Sequence, residues 1–264
     1  KFNLKTLTKN AETANYIHFG ISLSSLFPKG WWKSLFSSPK NYLFELQKNT
    51  KLTPSEVSDF TKKVIQKGSQ VDVVSAVNIA CEKLSGNEGL FLELGSTAKE
   101  KKYYQHAAKF LGLASKNQNV RTPALALLIS LDTSSRAVFQ EVCNSLKFFT
   151  EYDETATRAF CHAVNMVRQG DISMIGYAMN VFQHAFKTGK NWKSAFRQIE
   201  DYIPTDYWQD LDFRSHAIPL LKDLFKIKEA RQDFEVDHFF KDLLVNSEAP
   251  QGFLEIIKDL IKTP

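Results

Sequence analysis

The chain has 264 residues, of which 43% are hydrophobic and 24% are charged, a composition that is ordinary for a globular protein and excludes a disordered one. Its net charge of +5 is modest, so it gives no indication of a nucleic-acid partner. The longest purely apolar run, Ala124 to Ile129, is much shorter than the roughly 20 residues that a membrane-spanning helix requires.

The first fifty residues are rich in aromatic side chains. Trp31 and Trp32 lie next to Lys33, and such a combination of aromatic and basic residues is compatible with the interface of a membrane. Because few lysines accompany the tryptophans, we favour the alternative, in which these rings pack on the protein itself. The sequence therefore predicts a helical N-terminal segment, residues 1–50, packed on a helical domain of residues 51–264.

Helix start and stop signals recur along the rest of the chain. Thr53, Pro54 and Glu56 form a capping box with proline at the first helical position, so a helix is expected to run to Lys67 and end at Gly68. Alternating strand patterns bounded by turns are lacking, and we therefore predict an all-α protein, a single globular helical array. Further start and stop signals predict a helix that opens at Thr122–Pro123 and helices over Glu154–Gln169 and Ile172–Lys187.

Residue types that perform catalysis or bind metals are scattered along the sequence. The six histidines include no pair at the i,i+4 spacing of a helical metal site, and no phosphate-binding glycine loop or nucleophile motif occurs. Lysines between Lys99 and Lys109 are interrupted by Glu100, which favours a solvated helix face over a nucleic-acid site. The sequence predicts no metal, no cofactor and no bond-making active site. Three widely spaced cysteines indicate free thiols in a reducing, cytoplasmic environment.

The segment from Asp171 to Tyr202 predicts a helical hairpin. Its first helix is apolar around most of its girth, which requires either burial on several sides or a binding partner. A turn at Gly189 follows, and a second amphipathic helix begins near Trp192. Burial in the core and contact with a partner both remain open for the first helix.

Several short motifs occur in an order that matches a known family. In the first part of the matching region they are Lys109–Ala114, Asn117–Val120 and the turn Asp132–Arg136. In the second part they are Asn191–Trp192, Phe196–Arg197, Ile203–Pro204, Asp210–Phe213, Ala217–Lys226, Arg231–Val236 and His238–Leu244. Taken in order, these motifs resemble those of the catalytic domain of Ras-family guanine-nucleotide exchange factors.

The resemblance implies a protein that binds a small GTPase of the Ras type and prefers its nucleotide-free form. In that family a helical hairpin inserts near the switch regions and disrupts the contacts that hold the nucleotide. The resemblance thus implies that the hairpin projects from the array and that exchange depends on Phe182, Gln183 and Phe186. Asn180 and Gln183 are the polar candidates where the family has a glutamate. The other implied partner contacts are Asn119, Arg121, Arg136, Asn180 and Lys187.

A non-catalytic α-helical scaffold is the alternative. The stretch Asn119–Val142 is similar to one repeat of the superhelical trafficking adaptors, in which Asn-x-x-Val precedes Ala-Leu-x-Leu-Leu. No sequence repeat with a fixed period recurs along the chain, so the pattern alone does not establish a solenoid. A structure separates the two hypotheses, because only the exchange factor requires a hairpin that projects beside a groove.

Overall fold

A computed structural model of the protein describes residues 38–169, 172–202 and 211–246, and the regular secondary structure in these ranges is entirely α-helical. The predicted all-α class is therefore confirmed. Trp31 and Trp32 lie outside the described residues, as does the motif Ile203–Pro204. Among the described helices, none combines the length and the apolarity that crossing a membrane requires.

The chain divides into two compact units between Ile79 and Ala80. Within the described residues, the helices that begin in the first unit are α1 (Pro39–Lys48), α2 (Pro54–Lys67) and α3 (Gln70–Lys83). Thr53 caps α2 as predicted: its hydroxyl accepts a hydrogen bond from the Glu56 N–H at 3.3 Å, and the Glu56 carboxylate accepts one from the Thr53 N–H at 2.8 Å. The domain boundary near Lys51 stays a prediction, because most of the segment before it lies outside the described residues.

Ten helices belong to the second unit within the described ranges. They are α4 (Leu90–Glu100), α5 (Tyr104–Ala114), α6 (Gln118–Ile129), α7 (Arg136–Phe149), α8 (Asp153–Gln169), α9 (Ile172–Thr188), α10 (Trp192–Tyr202), α11 (Leu211–Lys226), α12 (Lys228–Arg231) and α13 (Phe234–Asn246). Helix α6 begins at Gln118 and not at the predicted Thr122–Pro123. The reason is that the Asn117 side chain caps the helix by accepting from the Asn119 N–H, which leaves Pro123 inside it.

The helices of the second unit are stacked in two series. In one series α5, α7, α9 and α11 pack each against the next, and in the other α6, α8 and α10 do the same. The α7–α9, α9–α11 and α8–α10 pairs run parallel, since two interactions along each pair join residues that are 37 to 41 positions apart. The second unit is therefore a stack of helical hairpins in a common orientation, the arrangement found in helical solenoids.

Small residues allow the closest helix approaches in this stack. A Cβ atom added to Gly95 in α4 would lie 2.7 Å from the Leu111 side chain, and one added to Gly112 in α5 would lie 2.7 Å from Ser145 Oγ. The Ser145 hydroxyl in α7 also donates to the Ala108 carbonyl oxygen at 2.7 Å. Glycine at these positions thus brings the backbones of α4, α5 and α7 close together.

The three cysteines have free thiols, and their burial differs. Burial raises the pKa of Cys143 to about 12, so this thiol is almost entirely protonated at neutral pH. We expect iodoacetamide at pH 8 to alkylate Cys161 while Cys143 stays unmodified in the folded protein. Peptide mass spectrometry after timed quenching measures this, with the urea-unfolded chain as the control. Equal alkylation rates at the two thiols in the folded protein would contradict the burial of Cys143.

Candidate partner-binding surface

The structure contains the predicted helical hairpin as α9 and α10, which pack against each other. The turn between them contains Gly189 and Asn191, with φ angles of 68° and 53° in the left-handed region. The Asn191 side-chain amide donates to the Thr150 carbonyl oxygen at 3.0 Å. The hairpin turn is thereby anchored to the turn that follows α7.

Helix α9 does not project from the unit as the resemblance implied. It packs against α7, α8, α10 and α11, and this burial on four sides explains why it is apolar around most of its girth. Phe182 and Phe186 are 0% and 2% exposed, and the Phe182 ring stacks on Phe160 with centroids 5.5 Å apart. The structure therefore places both phenylalanines in the core, out of reach of a partner.

Three of the predicted contact residues share one exposed edge where α9 meets α11. Asn180 is exposed, Gln183 is half-buried, and the Lys187 side chain is 59% exposed. The Gln183 amide donates to Asp223 Oδ2 at 2.9 Å, and the Lys187 ammonium lies 3.8 Å from the same oxygen. Lys226 donates to Asp223 Oδ1 at 2.6 Å. We call these five residues the α9–α11 edge.

A shallow cleft of about 120 Å³ opens beside the α9–α11 edge. At this cleft Gly176 in α9 faces the His216 ring of α11, and a Cβ atom there would lie 2.6 Å from the ring carbon Cε1. The polar groups at the cleft can donate and accept hydrogen bonds and are suited to recognising a polar surface. The lining residues are Gly176, Met179, Asn180, Gln183, Ser215, His216 and Pro219.

The other predicted contacts do not join this edge. Asn119 is exposed near the start of α6, in the other series of helices. Arg136 is exposed at the start of α7, where its Nη2 donates to the Tyr177 hydroxyl at 3.4 Å. That contact lies at the opposite end of the α7–α9 pair from Lys187.

Arg121 is a core residue in the structure, although the resemblance implied a partner contact. It is 6% exposed, and its guanidinium carbon lies 3.3 Å from the centroid of the Tyr152 ring. Its Nε donates to the Ser115 carbonyl oxygen at 2.6 Å, and its Nη1 pairs with Glu154. Hydrogen bonds from its own backbone N–H and from Arg121 lower the pKa of Glu154. The role of Arg121 is thus to join α6 to the start of α8.

Two charged residues that the structure brings to this region, Lys147 and Lys226, were not singled out by the sequence. Lys147, Lys187 and Lys226 each lie in the last turn of their helix, in α7, α9 and α11 respectively. Burial lowers the pKa of Lys147, and the positive charge of Lys187 acts in the same direction. Asp223 contacts Lys187 and Lys226, so two ammonium groups share this carboxylate. We call the three lysines the lysine row.

Comparison with known proteins finds no family that matches this chain and no curated protein with significant sequence similarity to it. Within the described residues, no group of three or more histidine, cysteine, aspartate or glutamate side chains is placed to hold a metal ion. The candidate site consists of the α9–α11 edge, its cleft and the lysine row.

Proposed function

We propose that the chain is an α-helical scaffold that binds a protein partner along the exposed edge of its stacked helices. The observation that supports this proposal is the side-by-side packing of α5, α7, α9 and α11, in which α7, α9 and α11 run parallel. A stack of this kind presents an extended surface to which each hairpin contributes residues. Polar and charged side chains from α7, α9 and α11 then meet the partner together.

The packing of α9 also favours the scaffold over insertion of a hairpin into a partner. A helix that wedges into another protein needs a free apolar face, but Phe182 and Phe186 are buried within the unit. Exposing them would require α9 to separate from four neighbouring helices. Each buried phenylalanine contributes roughly 1.5–3 kcal/mol, so that separation is costly.

Exchange-like binding of a Ras-type GTPase is the second candidate. Two observations favour it: a hairpin lies at 172–202, and Asn180, Gln183 and Lys187 share one edge of it. In this form of the proposal the contacts to the switch regions are polar, and the phenylalanines stabilise α9 from within. Preference for the nucleotide-free form supplies the driving force for nucleotide release.

Placing a large charged side chain on the α9–α11 edge tests the scaffold. We expect Asn180→Arg to abolish partner binding by steric and charge mismatch, and Asn165→Arg, the same change at an exposed position of α8, to preserve it. Proteins captured from a lysate by the wild type and by Asn165→Arg, but not by Asn180→Arg, are purified and titrated calorimetrically against all three forms. An affinity loss of about ten-fold or more that is specific to Asn180→Arg supports the proposal. If every purified partner binds the three forms equally, the edge is not the binding surface.

Fluorescent-nucleotide release separates the two candidates. The panel contains Ras, Rap, Ral, Rab, Arf and Rho proteins, each also tested by pull-down of its nucleotide-free form. Acceleration of release from one Ras-type member, lost in Asn180→Arg, establishes exchange. Binding without acceleration makes the GTPase a partner of the scaffold. If no GTPase binds in any nucleotide state, the exchange candidate is rejected and the scaffold remains.

A further inference from the structure

The lysine row collects positive charge at one end of three parallel helices. A cation in the last turn is favoured because the carbonyl groups there carry partial negative charge, which explains one lysine in each helix. Because α7, α9 and α11 run in the same direction, these lysines come to the same end of the series. Each lysine is favoured locally by the end of its own helix, and because the three helices are parallel, the three lysines together form one basic surface.

The charges of this surface are only partly neutralised. The Lys187 and Lys226 side chains are 59% and 73% exposed, and both pair with the carboxylate of Asp223, which is itself 5% exposed. An ammonium group has three donors, so each lysine keeps donors for a ligand. Burial and the charge of Lys187 lower the pKa of Lys147, so a carboxylate bound nearby would relieve the repulsion between these two lysines.

The spacing of the helices indicates the form of the ligand. Packed helices lie about 8–10 Å apart. In the polyproline II form, an extended chain with three residues per turn and a rise of about 3.1 Å per residue, every third side chain of a segment that crosses the helices points to the same face and lies over the next helix. We infer that the lysine row binds an extended acidic peptide segment of the partner, with a carboxylate at every third residue.

This inference rests on the proposed function, since it names the part of the partner that the scaffold holds. Spaced carboxylates fit better than a polyanion such as RNA, because Asp223 and Glu151 lie among the basic groups and repel a continuous line of phosphates. Glu151 pairs with His184 at 3.1 Å and with Lys190 at 3.4 Å, so the neighbouring basic groups are already balanced. In the lysine row, by contrast, three ammonium groups face the single carboxylate of Asp223, which pairs with two of them.

Fluorescence anisotropy with labelled peptides tests the spacing. One twelve-residue peptide repeats Glu-Ser-Ser, and the other has the same composition with its four glutamates adjacent. We expect the spaced peptide to bind about five-fold or more tightly than the clustered one, and the affinity to fall with added salt. Equal affinities for the two peptides would overturn the proposed geometry.

Two matched variants with opposite expected signs test the site. Lys187→Gln/Lys226→Gln should weaken binding of the spaced peptide about ten-fold, whereas Asp223→Asn, which removes the competing carboxylate, should strengthen it. Lys101→Gln, at an exposed position before α5 and at the other end of the series, is the control and should change affinity less than two-fold. Circular dichroism establishes that each variant is folded.

Two results would reject the acidic segment. Loss of peptide binding in Lys101→Gln equal to that in the double variant indicates attraction by the overall charge alone. Tighter, row-dependent binding to phosphatidylserine vesicles or to an RNA oligonucleotide assigns the surface to a membrane or to nucleic acid. If the scaffold proposal is correct, Asn180→Arg selectively loses binding of a protein partner whichever of these results is obtained. The scaffold proposal and the acidic-segment proposal can therefore be rejected independently of each other.

Discussion

Replacing Arg121 with alanine is expected to lower the free energy of unfolding by about 2–4 kcal/mol. The change removes the guanidinium from the Tyr152 ring and leaves the buried Ser115 carbonyl oxygen without its donor. Arg121→Lys should restore less than half of the loss, because an ammonium group lacks the planar fork that stacks and donates in two directions. Urea denaturation followed by circular dichroism measures all three proteins.

The partner of Arg121 in the ion pair supplies the control. Glu154 is exposed, so Glu154→Gln should leave stability close to that of the wild type even though it removes the salt bridge. A large loss in Glu154→Gln together with a small loss in Arg121→Ala would show that the ion pair, and not the stacked and hydrogen-bonded guanidinium, joins α6 to α8.

Replacing Gly112 with alanine is expected to destabilise the protein by about 1–3 kcal/mol. The same change in an ordinary helix interior stabilises by about 0.5–1 kcal/mol. Here the new Cβ atom would lie 2.9 Å from Ser145 Cβ and 3.2 Å from its Cα, so the backbones of α5 and α7 must separate. Chemical denaturation checks the sign as well as the size of the effect.

Two further variants isolate the cause of that loss. A Ser145→Gly background removes the contacts to Oγ and Cβ at 2.7 and 2.9 Å and leaves only the approach to Cα at 3.2 Å, so Gly112→Ala should cost much less stability there. Gly176→Ala is the second comparison, because its nearest neighbour is the ring of His216, an exposed side chain that can rotate away. A loss at Gly112 that is unchanged by Ser145→Gly would exclude close helix packing as its origin.

Local features of this fold were predictable from the sequence. The cap at Thr53 and the end of α2 at Lys67 depend on residues within one helical turn, and the structure confirms both. The hairpin near Gly189 was predictable for the same reason. The start of α6 was predicted five residues too late, because Asn117 competes with the proline signal and caps the helix first.

Features that depend on neighbouring helices were not predictable. The apolar pattern of α9 identifies Phe182 and Phe186 as buried or partner-binding, but only the packing of four helices decides between these outcomes. Arg121 has a charged side chain, and its burial depends on Tyr152 and the Ser115 carbonyl oxygen. The lysine row likewise exists only because α7, α9 and α11 are parallel, which no local pattern specifies.

The stacking of the hairpins also determines how the cooperativity of unfolding depends on the number of hairpins in this unit. Helix α7 meets α5 on one side and α9 on the other, and α9 in turn meets α11, so most interfaces join adjacent hairpins. The free energy of unfolding is then approximately a sum over these interfaces, and a disturbance in one hairpin mainly affects the neighbouring hairpin. A chain built in this way can gain or lose a terminal hairpin during evolution while the interior interfaces stay unchanged, so its reach can vary without a new core.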